Sequence, residues 1–187
     1  KSMAAGASQP LSHWALKQVG WMNDDLSETE EARSDKRYQQ VYARNEVDSR
    51  SDLVPPMVWS HKWFRAPDQR RSNRPLIRLA EVYLTRSIIR YNKNDKTGAA
   101  ADLNVVRKRA GLGNIDPSVL TADMIHNERI KEMATENGDR TYYLIGLQLP
   151  IGIGDRNPSV FSPVMPPYSE YYWQVPVVER EQNHSYQ

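Results

Sequence analysis

The chain has no cysteine among its 187 residues. That excludes thiol catalysis, thiolate metal sites and disulfides, although it leaves the compartment open because exported proteins can also lack cysteine. No apolar run approaches the roughly 18 residues needed to span a bilayer as a helix. An excess of charge is missing too: 25 Lys and Arg against 23 Asp and Glu leave a formal charge of +2. So small a charge supplies no strong field for a polyanion, and nucleic acid is not expected as a partner. Apolar residues are also in short supply, at 39%, with a mean hydropathy of −0.73. A chain this long should bury roughly 70% of the surface its unfolded form exposes. Either part of it is disordered, or its apolar faces are completed by polypeptide outside this sequence. Five Trp and ten Tyr argue against wholesale disorder.

What is present reads as helices separated by long loops. The run Leu11 to Val19 predicts a short helix, and Asp24-Asp25 a turn. From Ser27, acidic Glu28, Glu30 and Glu31 precede Arg33, Lys36 and Arg37, the order the helix dipole favours, so a solvated helix is expected to about Tyr42. Residues 43–73 look polar and irregular apart from the apolar cluster Leu53 to Trp59, where Pro55 and Pro56 oppose helix. The strongest element is Arg74 to Arg90. Pro75 suits its first turn, and Leu76, Leu79, Ala80, Tyr83 and Ser87 are expected to form its buried stripe, widened by Ile77, Leu84 and Ile88. A second helix repeats Ala99, Leu103, Val106 and Ala110 and ends at Gly111. The pair forms a helical hairpin of tetratricopeptide type, of which only one unit is visible. Thr121 is the expected N-cap of a third helix running to about Glu136. Residues 141–149 fit a helical turn or a strand equally well. The glycines and prolines of 151–167 predict a loop, and 171–178 a short extended segment.

The candidate chemistry is weak. Ile151-Gly152-Ile153-Gly154-Asp155 has two glycines, but it lacks the third Gly, the Lys and the following helix of a phosphate loop. Glu128, Glu132 and Glu136 fall four apart on one helix face. Carboxylates so placed could work as acid and base or hold a metal, but the nearby Arg129, Lys131 and Arg140 make a surface or interface ion-pair network the better expectation. His126-Asn127-Glu128 matches half of a zinc deaminase signature whose Cys pair is absent. His13, His61, His126 and His184 show no metal spacing. Aromatic residues stand apart from this pattern. Trp14, Trp21, Trp59, Trp63, Tyr168, Tyr171, Tyr172 and Trp173 concentrate in segments read as loops, where ring faces serve either as ligand platforms or as plugs beneath the loops.

Several stretches together resemble one family. Residues 74–84, RPLIRLAEVYL, resemble the P-x-I-R-L-A-E-V-Y-L helix of the SusD/RagB family, the surface nutrient-binding lipoproteins of Bacteroidetes. Residues 101–112, ADLNVVRKRAGL, are similar to its A-x-x-x-L-N-x-V-R-x-R-A-G-L helix. Asn127 to Met133 followed by Gly138 and Arg140 is similar to its N-E-R-x-x-E-L…E-G-x-R segment. Asp35 with Arg37-Tyr38 fits an earlier D-x-R-aromatic signature, Gln174-Val175-Pro176 stands at the family's L-x-P-I-P segment, and Asn183 to Tyr186 at its N-P-G-Y.

The resemblance implies a mainly α, SusD-like fold, with a tetratricopeptide-type hairpin and long irregular loops, and the C-terminal portion of a larger helical fold. Residues 1–73 would be a loop-rich segment with short helices, 74–150 the helical scaffold, and 151–187 a loop and tail. It implies non-catalytic binding of glycan or oligopeptide nutrients at the outer-membrane surface, without cofactor. Its implied partners are a SusC-like TonB-dependent transporter and an N-terminal part of the same protein. No signal peptide is visible, so an export signal and lipid anchor are expected upstream of Lys1. The shared motifs are packing motifs and carry no ligand residues over. Trp14, Trp21, Trp59 and Trp63 are the expected ligand-binding aromatics. Two other readings stay open: a helical adaptor gripping a protein segment, and a hydrolase using Glu128 and Glu132.

Overall fold

The computed structural model describes residues 10–45, 57–60, 62, 76–136 and 138–168. These fall into two compact units divided after Arg140. The first holds β1 (Pro10–Leu11), α1 (His13–Gln18), α2 (Glu30–Ser34), α3 (Lys36–Val41), β2 (Tyr42–Asn45), β3 (Met57–Ser60), α4 (Leu79–Asn92), α5 (Lys96–Ala110) and α6 (Ala122–Met133). α7 (Asp139–Gly146) crosses the division. The protein is mainly helical, as the sequence predicts.

α4 and α5 form the expected hairpin. Their pairings run in opposite order, with Arg86 bonding Asp102 at 2.8 Å, Ser87 donating to the Ala99 carbonyl at 2.8 Å and Arg90 donating to the Gly98 carbonyl at 3.2 Å. The small Ser87, Ala99 and Ala100, all 1% exposed or less, let the two backbones approach. On α5 the predicted stripe of Ala99, Leu103, Val106 and Ala110 is buried throughout. Asp95 caps the helix by accepting from the Gly98 N–H, and Gly111 ends it at φ +83. A side chain at that φ would be strained, and a Cβ there would also lie 3.2 Å from the Lys36 chain.

On α4 the expectation needs correcting. The helix begins at Leu79, after Arg78 at its N-cap, and Pro75 lies outside the described residues. The buried stripe is Ala80, Leu84, Ser87 and Ile88, whereas Leu76, Ile77 and Leu79 are exposed at 89%, 75% and 69%. Leu76 and Ile77 precede the first turn, and Leu79 is exposed with Val82 and Ile89.

Two other expectations also change. The helix predicted from Ser27 is broken at Asp35 into α2 and α3, and it is not solvated all round: Ala32, Asp35, Arg37 and Tyr38 are buried. Within 43–73, β3 covers the end of the apolar cluster set apart from the irregular reading and pairs antiparallel with both β1 and β2 in a three-stranded sheet of order β1-β3-β2. Leu16, Val19, Trp21, Met22, Ala32, Tyr38 and Val58 form a core joining the sheet to α1–α3, with Ile130 of α6 against it. α6 starts at the predicted Thr121 cap, whose side chain accepts from the Met124 N–H. In the second unit, residues 141–146 are helical, and reciprocal hydrogen bonds between Ile151 and Val164 close the predicted loop.

Candidate functional site

The four expected aromatics do not gather in one place. Trp14 stands in the first turn of α1, 38% exposed, with the Arg140 guanidinium carbon 5.8 Å from its ring centroid. Trp21 corrects the expectation: it is 1% exposed, packs edge-on against Tyr38 at 5.3 Å, and donates its indole N–H to Asp35 Oδ2 at 3.2 Å. A ring so enclosed has no face to offer a ligand. The backbone of Trp59 lies in β3 opposite Pro10 and Ala43. Its side chain, Trp63, and Tyr171 to Trp173 lie outside the described residues. Tyr168 is buried, with its hydroxyl donating to the Leu149 carbonyl.

The carboxylate row of α6 is an ion network, as expected, but a buried one and not a surface one, with Glu128, Glu132 and Glu136 all enclosed. Arg37 grips Asp35 with two N–H bonds of 2.9 and 2.7 Å and reaches Glu128 at 2.7 Å and Glu132 at 3.3 Å. Arg78 bonds Glu132 at 2.7 Å and forks onto Glu136 at 2.8 and 2.9 Å. Arg109 meets Glu132 at 2.5 Å, Arg107 meets Glu128 at 2.9 Å, and Lys131 pairs with Glu31. Lys62 closes the end of α6, donating to the Ala134 carbonyl at 3.0 Å and to Glu136 at 2.8 Å.

Burial pushes the Glu132 carboxyl up, but hydrogen bonds from Arg109 and Arg78 and the charges of Arg109 and Arg37 outweigh it and hold the group down at about 2. Burial lowers the Lys62 ammonium against the pull of Glu136. Glu132 is held ionised by three guanidinium groups and ties α6 to the elements that carry them. This also gives the recognised motifs a physical meaning: Asp35 and Arg37 on one side, Glu128 and Glu132 on the other, join α3 to α6.

His126 is half-buried on α6. Burial lowers its pKa, the charge of Asp123 opposes that, and the charge of Arg140 adds to it. No group of three or more His, Asp or Glu among the described residues is placed to hold a metal ion. The Gly152–Gly154 segment presents carbonyls, not an anion cradle: Arg156 bonds the Ile153 carbonyl at 2.8 Å and that of Gly152 at 3.4 Å, and lies 5.2 Å over the ring of Phe161. The ring contacts of Arg140 and Arg156 escaped the sequence reading, which expected Arg140 among the ion-pair partners of α6, because cation–ring contacts leave no mark in residue spacing.

The model of the SusD family matches residues 16–142, more than half of the chain, and the protein belongs to that family. Neither curated proteins nor solved structures give a match. SusD proteins are cell-surface nutrient-binding lipoproteins of the outer membrane, known as non-catalytic and as working with SusC-like transporters. Among the described residues no helix is long and apolar enough to cross a membrane.

Proposed function

We propose that this protein captures a glycan or oligopeptide nutrient at the cell surface, leaves it chemically unchanged, and passes it to a SusC-like TonB-dependent transporter in the outer membrane. The observation that carries the reading is the family match across residues 16–142. The geometry supports it in two ways. The carboxylates that could have served hydrolysis are engaged in ion pairs within the scaffold. Trp14 meanwhile holds an aromatic face at the surface, where the C–H face of a sugar ring or an apolar side chain can stack.

The test is to screen the whole protein against arrayed neutral and acidic oligosaccharides and oligopeptides, then to recover the retained compound and weigh it. Retention of an unaltered ligand, weakened in Trp14→Ala, and co-purification with a TonB-dependent transporter are expected. A shortened glycan or peptide would overturn the reading.

One observation favours a second function. Leu79 and Val82, exposed at 69% and 47% on α4, could let the α4–α5 hairpin grip a protein segment. Under that adaptor reading, Leu79→Glu abolishes capture of the segment and Trp14→Ala does not.

A further inference from the structure

We propose that the peptide bond between Asp116 and Pro117 is a self-cleavage site, at which the Asp116 carboxylate cuts its own chain in mild acid and leaves a two-piece protein that stays assembled. The inference is independent of the nutrient-binding reading and rests on the turn that joins α5 to α6.

Asp116 is the only aspartate in the sequence that is followed by proline. Asp-Pro-Ser favours a tight turn with Pro at its second position, and the turn forms: the Val119 N–H donates to the Asp116 carbonyl at 3.2 Å. Asp116 Oδ1 accepts from the Ser118 N–H at 2.8 Å and from the Ser118 hydroxyl at 2.5 Å. A carboxyl bonded to the residue two places ahead is drawn forward, toward its own carbonyl carbon. Among the described residues no donor reaches Oδ2. Upstream, Asn104 of α5 holds the backbone of Ile115, donating to its carbonyl at 3.0 Å and accepting from its N–H at 2.8 Å. The attacking group and the bond it cuts are thus both positioned, and the Val119 N–H polarises the carbonyl on which negative charge develops. The bonds from Ser118 also hold the carboxyl below its usual range, so it stays ionised into mild acid.

In the cleavage step, Asp116 Oδ2 attacks the Asp116 carbonyl carbon and the bond from that carbon to the Pro117 nitrogen breaks. That nitrogen is a tertiary amide, more basic than an ordinary peptide nitrogen, and it leaves with a proton from solvent as a new amino terminus. Water then opens the cyclic anhydride left on Asp116 to two carboxyls. Asp116 is exposed, so solvent supplies both the proton and the water. The cut separates α5 from α6 in the chain but not in space. Arg107 and Arg109, before the cut, bond Glu128 at 2.9 Å and Glu132 at 2.5 Å beyond it, and Arg78 bonds Glu132 at 2.7 Å.

A second turn supplies the comparison. Asn157-Pro158-Ser159-Val160 repeats the sequence with an amide in place of the carboxylate. The Ser159 N–H donates to Asn157 Oδ1 at 2.9 Å and the Val160 N–H to the Asn157 carbonyl at 3.0 Å. A neutral amide is a poor nucleophile, so this turn should stay whole.

The experiment holds the whole protein at mildly acid and at neutral pH, folded and in urea, and reads its intact mass with time under denaturing conditions, with circular dichroism confirming the fold in acid. In acid the parent should give a piece ending at Asp116 and a piece beginning at Pro117, their masses summing to the parent plus one water, about tenfold faster folded than in urea. At neutral pH the supply of protons falls, and the rate should fall with it. The cut protein should still elute as one species in size-exclusion chromatography. Asp116→Asn should remain whole, Ser118→Ala should lose the advantage of the folded state, and Asn157→Asp should gain a second cut between residues 157 and 158. A parent that stays whole in acid, or an Asp116→Asn protein that is cut like the parent, would overturn the site. Equal rates folded and in urea would overturn the part given to the turn.

Discussion

Arg37 Nη1 and Glu132 Oε2 lie 3.3 Å apart although 95 positions separate them, and both side chains are almost wholly enclosed. Through this contact α3 and α6 share one electrostatic centre. Glu132 accepts from Arg37, Arg78 and Arg109, so its removal leaves Arg37 to Asp35 and Glu128, Arg78 to Glu136, and the cluster one anion short. Breaking a buried pair at one partner costs about 3–5 kcal/mol, most of it from the charge left uncompensated. Glu132→Gln should therefore lower the urea midpoint strongly at neutral pH. Asp24→Asn, at the exposed Lys17–Asp24 pair, should leave the midpoint where it was.

The same carboxyl sets an acid limit. Its pKa falls from an ordinary 4.5 to about 2 on folding. Because the folded value is the lower one, its contribution is complete above about 4.5 and is lost as pH falls from there through about 2. A shift of that size corresponds to roughly 3 kcal/mol. Urea midpoints measured between pH 6 and pH 2 should fall across this window, and the fall should be much shallower in Glu132→Gln. Equal slopes in the two proteins would show that Glu132 is not the group being titrated.

The sequence made some of this legible and hid the rest for identifiable reasons. Thr121, Gly111 and the Ala99–Ala110 stripe were readable because caps, a left-handed terminus and helical periodicity are local properties. The ion-pair character of Glu128, Glu132 and Glu136 was readable from nearby basic residues, but its true partners were not: Arg37 and Arg78 come from other elements far along the chain. Pairing of β3 with β1 and β2 was invisible for the same reason, since strand pairing at long separation has no local signature. Trp21 was misplaced because it sits in a loop by sequence, while the packing of Tyr38 and the acceptor Asp35 bury it.

The outline of α4 supplies a sharper test, because composition alone cannot tell its leucines apart. Leu84 is fully buried and Leu79 is 69% exposed, although both belong to the apolar run that the sequence displays. Truncating a buried leucine removes transfer energy and leaves a cavity, at about 2–5 kcal/mol. Leu84→Ala should therefore lower the thermal midpoint by several degrees, with Leu79→Ala close to the parent. Comparable losses in the two variants would mean that the outer side of α4 is also covered in the protein under test.

Trp14 and Trp21 separate binding from folding within a single residue type. They stand seven positions apart, one with its ring at the surface beside Arg140 and the other enclosed with its N–H on Asp35. Trp21→Ala removes a large core side chain, leaves a cavity against Tyr38, and takes away a hydrogen bond from the carboxylate that also holds Arg37. A loss of about 3–5 kcal/mol follows from the cavity, and any weakening of ligand capture should track the fraction unfolded. Trp14→Ala removes a ring that is 38% exposed, so its melting curve should stay near that of the parent while capture of the arrayed ligand drops. The two variants should thus fall on different axes of a plot of stability against retention. If both lose stability together with retention, Trp14 is a packing residue and recognition has to be sought at another aromatic.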